Sequence, residues 1–171
     1  MTNLNSIMLF DGSLIDLISP TEEMISIESI AHGISGINRF GSQSPIRYTV
    51  AEHSLGMVRM AMFDGIEDKD ILFAILMHDA SEAYLGDIVS PLKKHLKKYK
   101  KIEEAMNSVI ESKFSVDFVK HHDIIKKYDR KILKIEKKIL WGEEKASDKL
   151  CMTQNPKEMF LSVFASFQDW N

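Results

Sequence analysis

The chain has one cysteine, Cys151, in 171 residues. An intrachain disulfide is therefore excluded, and a reducing, cytoplasmic setting is expected. No apolar run approaches the ~20 residues that a membrane-spanning helix needs, and the N-terminus has no basic stretch of the signal-peptide kind. Positive charge is not in surplus either: 22 Lys and Arg face 25 Asp and Glu, for a net charge of −3 and a pI of about 6.1. That balance provides no global field for a nucleic-acid polymer. Internal repeats and low-complexity segments are lacking, and the C-terminal aromatics form no cofactor box. What the chain does have is 44% hydrophobic residues. At this length they fill one substantial core, so a single domain over residues 1–171 is expected.

The most informative stretch is residues 71–86. The apolar run Ile71-Leu72-Phe73-Ala74-Ile75-Leu76-Met77 leads straight into His78-Asp79 and then Glu82. Asp68 or Asp70 at its start and Gly86 at its end read as the caps of one buried helix. An unpaired charge there would cost several kcal/mol, on the scale of a domain's whole stability, so these groups need partners. A divalent metal is the simplest one. On a continuous helix Glu82 shares a face with His78 at i+4 and with Asp79 at i+3, which permits two ligands and an adjacent acid or base.

Along the chain, residues 7–10 and 13–17 flank Asp11-Gly12, the pair that best fits a two-residue type I′ hairpin turn. Ser26 is expected to cap a helix, with Ile25 and Ile30 as its hydrophobic staple. Gly33 and Gly36 in that helix point to close packing or an early end. Thr49-Val50-Ala51-Glu52 has the form of a capping box and places His53 in the first turns of a helix ending near Asp64-Gly65. Pro91 is suited to open a helix. Ile102, Met106, Val109 and Ile110 have helical spacing, with a short segment following at 116–119. A long amphipathic helix is expected from Asp123, with Asp129 at the edge of its inward stripe. A last core helix carries Met159, Phe160, Val163, Phe164 and Phe167. The basic run over residues 93–101 reads as a solvated helix face that also helps to draw in an anionic substrate.

His53, the pair His78-Asp79, and Asp129 then stand on three expected helices. Two imidazoles and two carboxylates suit Zn²⁺, Mn²⁺, Fe²⁺ or Co²⁺ better than an all-oxygen Mg²⁺ or Ca²⁺ site, although an additional Mg²⁺ on the phosphates is compatible. In this order, on helices and with Glu82 in an HD-x-x-E extension, these residues resemble the HD-domain metal-dependent phosphohydrolase superfamily. The flanking text Ile37-Asn38-Arg39-Phe40, Thr49-Val50-Ala51-Glu52-His53-Ser54, His78-Asp79-Ala80-Ser81-Glu82, Gly86-Asp87 and Tyr128-Asp129-Arg130 is similar to bacterial 5′-deoxynucleotidases and their small phage-encoded relatives. The similarity covers most of residues 26–141.

The resemblance implies an all-α HD-domain bundle, here with a small N-terminal hairpin, and His53, His78, Asp79 and Asp129 as ligands of one divalent transition metal. It implies that Arg39 holds phosphate, Glu82 assists the water and Asp87 contacts the sugar. Ile37 and Phe40 then lie near the base, and Ser90 and Lys93 complete the substrate-binding set, Lys93 beside the outer phosphates. Such an ion lowers the pKa of water from 15.7 to roughly 7 in favourable cases, which Arg39, Glu82 and Asp79 would complement. Phe40 stands where the bacterial enzymes have tryptophan. The shorter chain and hairpin match the phage members, some of which release triphosphate from dATP in one step. A small nucleotide substrate, adenine as base and a homo-oligomer are what this likeness implies, the ten methionines offering material for an apolar interface.

His32, His95, His121 and His122 are read as structural, with His32 kept in view because its helix leads to Arg39. The competing reading is a non-catalytic HD-like module that binds nucleotide or a partner protein. A cyclic-dinucleotide phosphodiesterase finds no support, since no Gly-rich loop follows the HD pair.

Overall fold

The structure is a computed structural model that describes residues 4–142 and 150–168. It opens on a two-stranded antiparallel sheet, β1 (Ser6–Met8) and β2 (Leu14–Asp16), with Ile7 opposite Ile15. The helices are α1 (Ile27–Gly36), α2 (Val50–Phe63), α3 (Lys69–Met77), α4 (Glu82–Leu85), α5 (Ser90–Lys93), α6 (Lys97–Phe114), α7 (His122–Leu140) and α8 (Pro156–Gln168). The helical bundle with an N-terminal hairpin is thus the observed fold class. No described helix is long and apolar enough to cross a membrane.

The hairpin loop differs from the expected two-residue turn. Gly12 N–H donates to Leu9 O and Leu9 N–H to Ser13 O. Only Gly12 of the loop has positive φ, at 86°. This is a three-residue connection with glycine in the left-handed position, because a type I′ turn would require Asp11 to be left-handed as well. Asp11 Oδ1 instead accepts from Ser13 N–H and Ser13 Oγ–H.

The capping signals act where the sequence placed them. Ser26 accepts from Ser29 N–H to start α1, and the flanking Ile25 and Ile30 are both buried. Thr49 and Glu52 close a reciprocal capping box on α2, and Asp68 caps α3. Helix α2 lies at the centre of the bundle, packed against α1, α3, α7 and α8. The core joins Ile30, Ala31 and Ile34 of α1, Val50, Ala51, Met57 and Val58 of α2, Leu72–Met77 of α3, Ile125, Tyr128 and Ile132 of α7, and Phe160 of α8.

The single helix expected over residues 71–86 is two helices. Helix α3 stops at Met77, and the chain turns tightly through bonds from Ala80 N–H to Met77 O and Glu82 N–H to Asp79 O before α4 begins. His78 Nδ1 donates to Ile75 O at 2.8 Å, competing for an acceptor that a continuing helix would use. His78 and Glu82 therefore stand on either side of a corner rather than along one helix face. The segment expected at 116–119 is a turn, held by Phe118 N–H donating to Glu111 Oε1 at 2.6 Å.

Candidate metal centre

Three elements bring the ionisable groups together. Helix α2 supplies His53 one turn after its cap, the corner after α3 supplies His78 and Asp79, and α7 supplies Asp129. His53 is fully buried, and its Nδ1 lies 2.7 Å from Glu136 Oε1. Since both Glu136 and the Ile75 carbonyl are acceptors, each imidazole in its neutral form carries its proton on Nδ1. Each Nε2 lone pair is left free, and neither Nε2 has a hydrogen-bond partner. One ligand atom from each of His53, His78 and Asp129 lies within 4.8 Å of the others. Asp79 Oδ2 adds a fourth, 3.0 Å from His78 Nε2 and 3.7 Å from His53 Nε2. Asp129 Oδ1 is 3.6 Å from His53 Nε2.

This set fits a divalent ion. Buried imidazole nitrogens without partners are costly, and their fixed tautomers turn both lone pairs toward two carboxylates. Donors about 2.1 Å from a common ion sit roughly 3 to 4 Å apart, and the separations of 3.0, 3.6 and 3.7 Å fall in that range. The mixture of nitrogen and oxygen suits Zn²⁺, Mn²⁺, Fe²⁺ or Co²⁺.

The surrounding electrostatics divide the carboxylates into two kinds. Burial alone would raise Asp79, but the adjacent His78, then His53 and Arg39, hold it well below the usual carboxylate range. Glu136 is likewise held low against its burial by His53 and Arg39. Glu82 goes the other way: burial, then repulsion from Asp79 and Asp87, pushes it well above its ordinary value. Its Oε2 is buried without a partner. Asp87 is raised by burial and by Asp79, with Arg39 opposing. A carboxyl that binds its proton more tightly than usual thus stands beside one that releases it more readily, the separation that acid–base chemistry uses.

Arg39 lies at the strand-like crossing where its N–H donates to Tyr48 O and Val50 N–H donates to Ile37 O. Its Nη2 is 3.1 Å from Glu136 Oε2, and Nη1 is 4.0 Å from Asp79 Oδ2. Phe40, Gly41 and Ser42 follow with φ of 60°, 59° and 61°. Two non-glycine residues in that region mark a strained turn, held in part by Phe40, whose ring meets Trp141 edge-on at 5.2 Å. Ile37 follows α1 as its C-cap, half-buried against the core. Ser90 starts α5, exposed, and Lys93 ends it with its ammonium hydrogen-bonded to Glu103. His32 lies elsewhere, exposed and stacked on Phe10 at 4.5 Å.

Glu136 is the group that sequence reasoning missed. Its signal was present: it falls between Ile132 and Ile139, inside the apolar stripe of α7 and two turns beyond Asp129. A fully buried acid in that stripe must have cationic or donor partners.

A family model described as "5′-deoxynucleotidase YfbR-like" matches residues 34–158. The uncharacterized protein YfdR of Escherichia coli strain K12 is 37% identical over 92 residues, 54% of this chain and 48% of its own. An uncharacterized protein of Rhodobacter capsulatus is 34% identical over 116 residues, 65% of this chain and 59% of its own. The chain therefore spans about half the length of the curated relatives it matches.

Proposed function

The chain belongs to the YfbR-like 5′-deoxynucleotidase family of HD-domain phosphohydrolases, and from that membership we propose that it hydrolyses the 5′-phosphoester of deoxynucleotides at a single divalent-metal centre. The observation that carries this reading is the pair of partnerless Nε2 atoms of His53 and His78, facing Asp79 and Asp129. In this reading His53, His78, Asp79 and Asp129 are the ligands. When bound, the ion supplies acidification of water and Lewis-acid polarisation of a phosphoryl oxygen.

The protein's own groups do the rest. Arg39, oriented by Glu136, neutralises charge on the phosphoryl oxygens, a role its fixed fork suits better than a lysine would. Glu82 holds or moves the proton at its partnerless Oε2, taking it from the attacking water and returning it to the leaving 5′-oxygen. The water oxygen bonds to phosphorus as the P–O5′ bond breaks, so the deoxynucleoside leaves with a proton. Asp87 faces the sugar, and Ile37 and Phe40 receive the base, adenine being the first to test. Ser90 and Lys93 face the phosphates beyond the scissile one. The active unit is one domain in the cytoplasm, functioning as a homo-oligomer, with no nucleic-acid polymer or membrane as partner. The continuous core from α1 to α8 supports the single domain.

The test is release of phosphate, pyrophosphate and triphosphate from a panel of deoxynucleoside mono- and triphosphates, with Zn²⁺, Co²⁺, Mn²⁺ and Fe²⁺. Activity that survives in His78→Ala overturns the assignment. If no stoichiometric metal binds, the non-catalytic module takes its place.

A further inference from the structure

The basic run at residues 93–101 does not form one solvated helix face. It breaks at the junction of α5 and α6, where a cavity of about 440 Å³ opens, lined by Ser90, Lys93, Lys94, Leu96, Lys97, Lys100 and Glu103. Four of those lining residues are lysines and one is acidic, on a chain whose net charge is −3. Glu103 already bonds Lys93, and Lys100 meets Glu104 at 3.7 Å with both side chains largely exposed. Lys94 and Lys97 have no ion pair among the described residues. Like charges gathered around one concavity repel, and here they gather at the start of α6, where no acid stands in the first turn and Leu96 offers no side-chain cap. Cations at that end of a helix oppose its dipole, so the arrangement favours an anionic occupant.

Lys93 links the cavity to the metal centre, its ammonium lying within electrostatic reach of Glu82 and Asp79. Asp87 and Ser90 are three positions apart in the chain, at most about 10 Å, and Tyr99 of α6 donates to Gly86 O at 3.2 Å, tying the cavity wall to the segment that carries Glu82 and Asp87.

We propose that this cavity is a polyphosphate site, in which Lys94, Lys97 and Lys100, with Lys93 on the side nearer Asp87, hold the distal phosphates of a nucleoside triphosphate. The proposal rests on the phosphohydrolase reading for its substrate and adds the residues that would favour a triphosphate over a monophosphate. Breakage of the same P–O5′ bond then yields deoxynucleoside and inorganic triphosphate, with water supplying the oxygen.

The probe is inorganic tripolyphosphate, titrated calorimetrically into chelator-treated full-length protein, with inorganic phosphate in a parallel arm. The wild type is expected to bind tripolyphosphate more tightly than phosphate, to lose affinity as salt rises, and to release it when a deoxynucleoside triphosphate is added. The triple variant Lys94→Gln, Lys97→Gln, Lys100→Gln is expected to weaken tripolyphosphate binding about tenfold or more, and the corresponding arginine triple to restore it. In kinetics the glutamine triple raises KM for triphosphate substrates alone, leaving kcat and monophosphate turnover unchanged. Equal tripolyphosphate affinity in wild type and the glutamine triple, or equal KM shifts for mono- and triphosphates, overturns the site. A chain that hydrolyses monophosphates but binds no tripolyphosphate also overturns it and leaves the phosphohydrolase reading standing. Lysine-dependent tripolyphosphate binding by a chain that hydrolyses nothing does the reverse.

Discussion

Glu136 joins the two halves of the site: Oε1 lies 2.7 Å from His53 Nδ1 while Oε2 lies 3.1 Å from Arg39 Nη2. One carboxylate thus fixes both the tautomer of His53, a proposed metal ligand, and the direction of the guanidinium. Glu136→Gln keeps the shape but removes the charge that makes His53 a stronger donor. Metal affinity is expected to fall about 10- to 100-fold, as read by competition with a chelating indicator. Glu136→Leu leaves Arg39 buried without its closest partner and is expected to cost about 3–5 kcal/mol in urea unfolding.

Metal removal gives the second expectation. An ion held by the proposed ligands would bind only the folded arrangement of α2, α7 and the corner after α3, and would stabilise it by mass action. At 100 times its dissociation constant, Co²⁺ or Mn²⁺ should raise the unfolding free energy by about 2.7 kcal/mol over the chelator-treated protein. In Asp129→Ala that increment should largely vanish while the metal-free stability stays close to wild type, because Asp129 is partly exposed and lies at the edge of its stripe. Thermal melts with and without chelator read both quantities.

The contrast between Asp129 and Glu136 shows what the sequence could and could not reveal. His53, His78 and Asp129 were legible because each stood beside a cap, an apolar run or a stripe edge that fixed its place on an element, and the structure brings the three together. Glu136 was hidden by its neighbours, since its partners are 83 and 97 residues away and no local pattern announces them. The break between α3 and α4 was hidden for another reason. Nothing between Met77 and Glu82 is a helix breaker, and the corner arises from hydrogen bonds that compete with the helix ladder. The hairpin was legible in position but not in turn type, because Asp-Gly serves both the two-residue and the three-residue connection.

Glu82 gives a prediction with opposite signs for stability and activity. Its folded pKa lies above the unfolded one because burial, then Asp79 and Asp87, disfavour the charged form. The favourable contribution is complete below the unfolded value of about 4.3 and is lost as pH rises through the folded value. Glu82→Gln removes that loss, so the metal-free variant should gain stability over wild type as pH is raised from 4 toward neutrality. Turnover should fall about 10²- to 10⁴-fold if the carboxyl is the acid–base group. Unfolding curves across pH and a single-turnover assay separate the two effects.

Cys151 should be slow to react. Burial pushes its thiol above the ordinary range, with Glu52 adding to the effect and Arg59 opposing it. The thiolate is the reactive form, so alkylation by iodoacetamide at pH 8 should lag behind free cysteine and accelerate once the protein is denatured. Metal binding should leave the rate unchanged.

Two glycines test how rigidly the site is carried. A Cβ on Gly33 would lie 2.7 Å from Ala83 O and 2.8 Å from its Cα, so α1 and α4 meet backbone to backbone. Neither atom can move without shifting α4, which begins at Glu82. A Cβ on Gly56 would also come within 2.7 Å of an atom, but that atom is Ile132 Cδ1, the end of a side chain with other rotamers. Gly33→Ala should therefore cost about 1–3 kcal/mol from overpacking, despite the better helix propensity of alanine. It should also lower kcat by displacing Glu82. Gly56→Ala should cost less and leave kcat near wild type, because Ile132 can turn aside without moving the α7 backbone that carries Asp129. Equal losses of kcat in the two variants would mean that the α1–α4 contact does not set the position of Glu82.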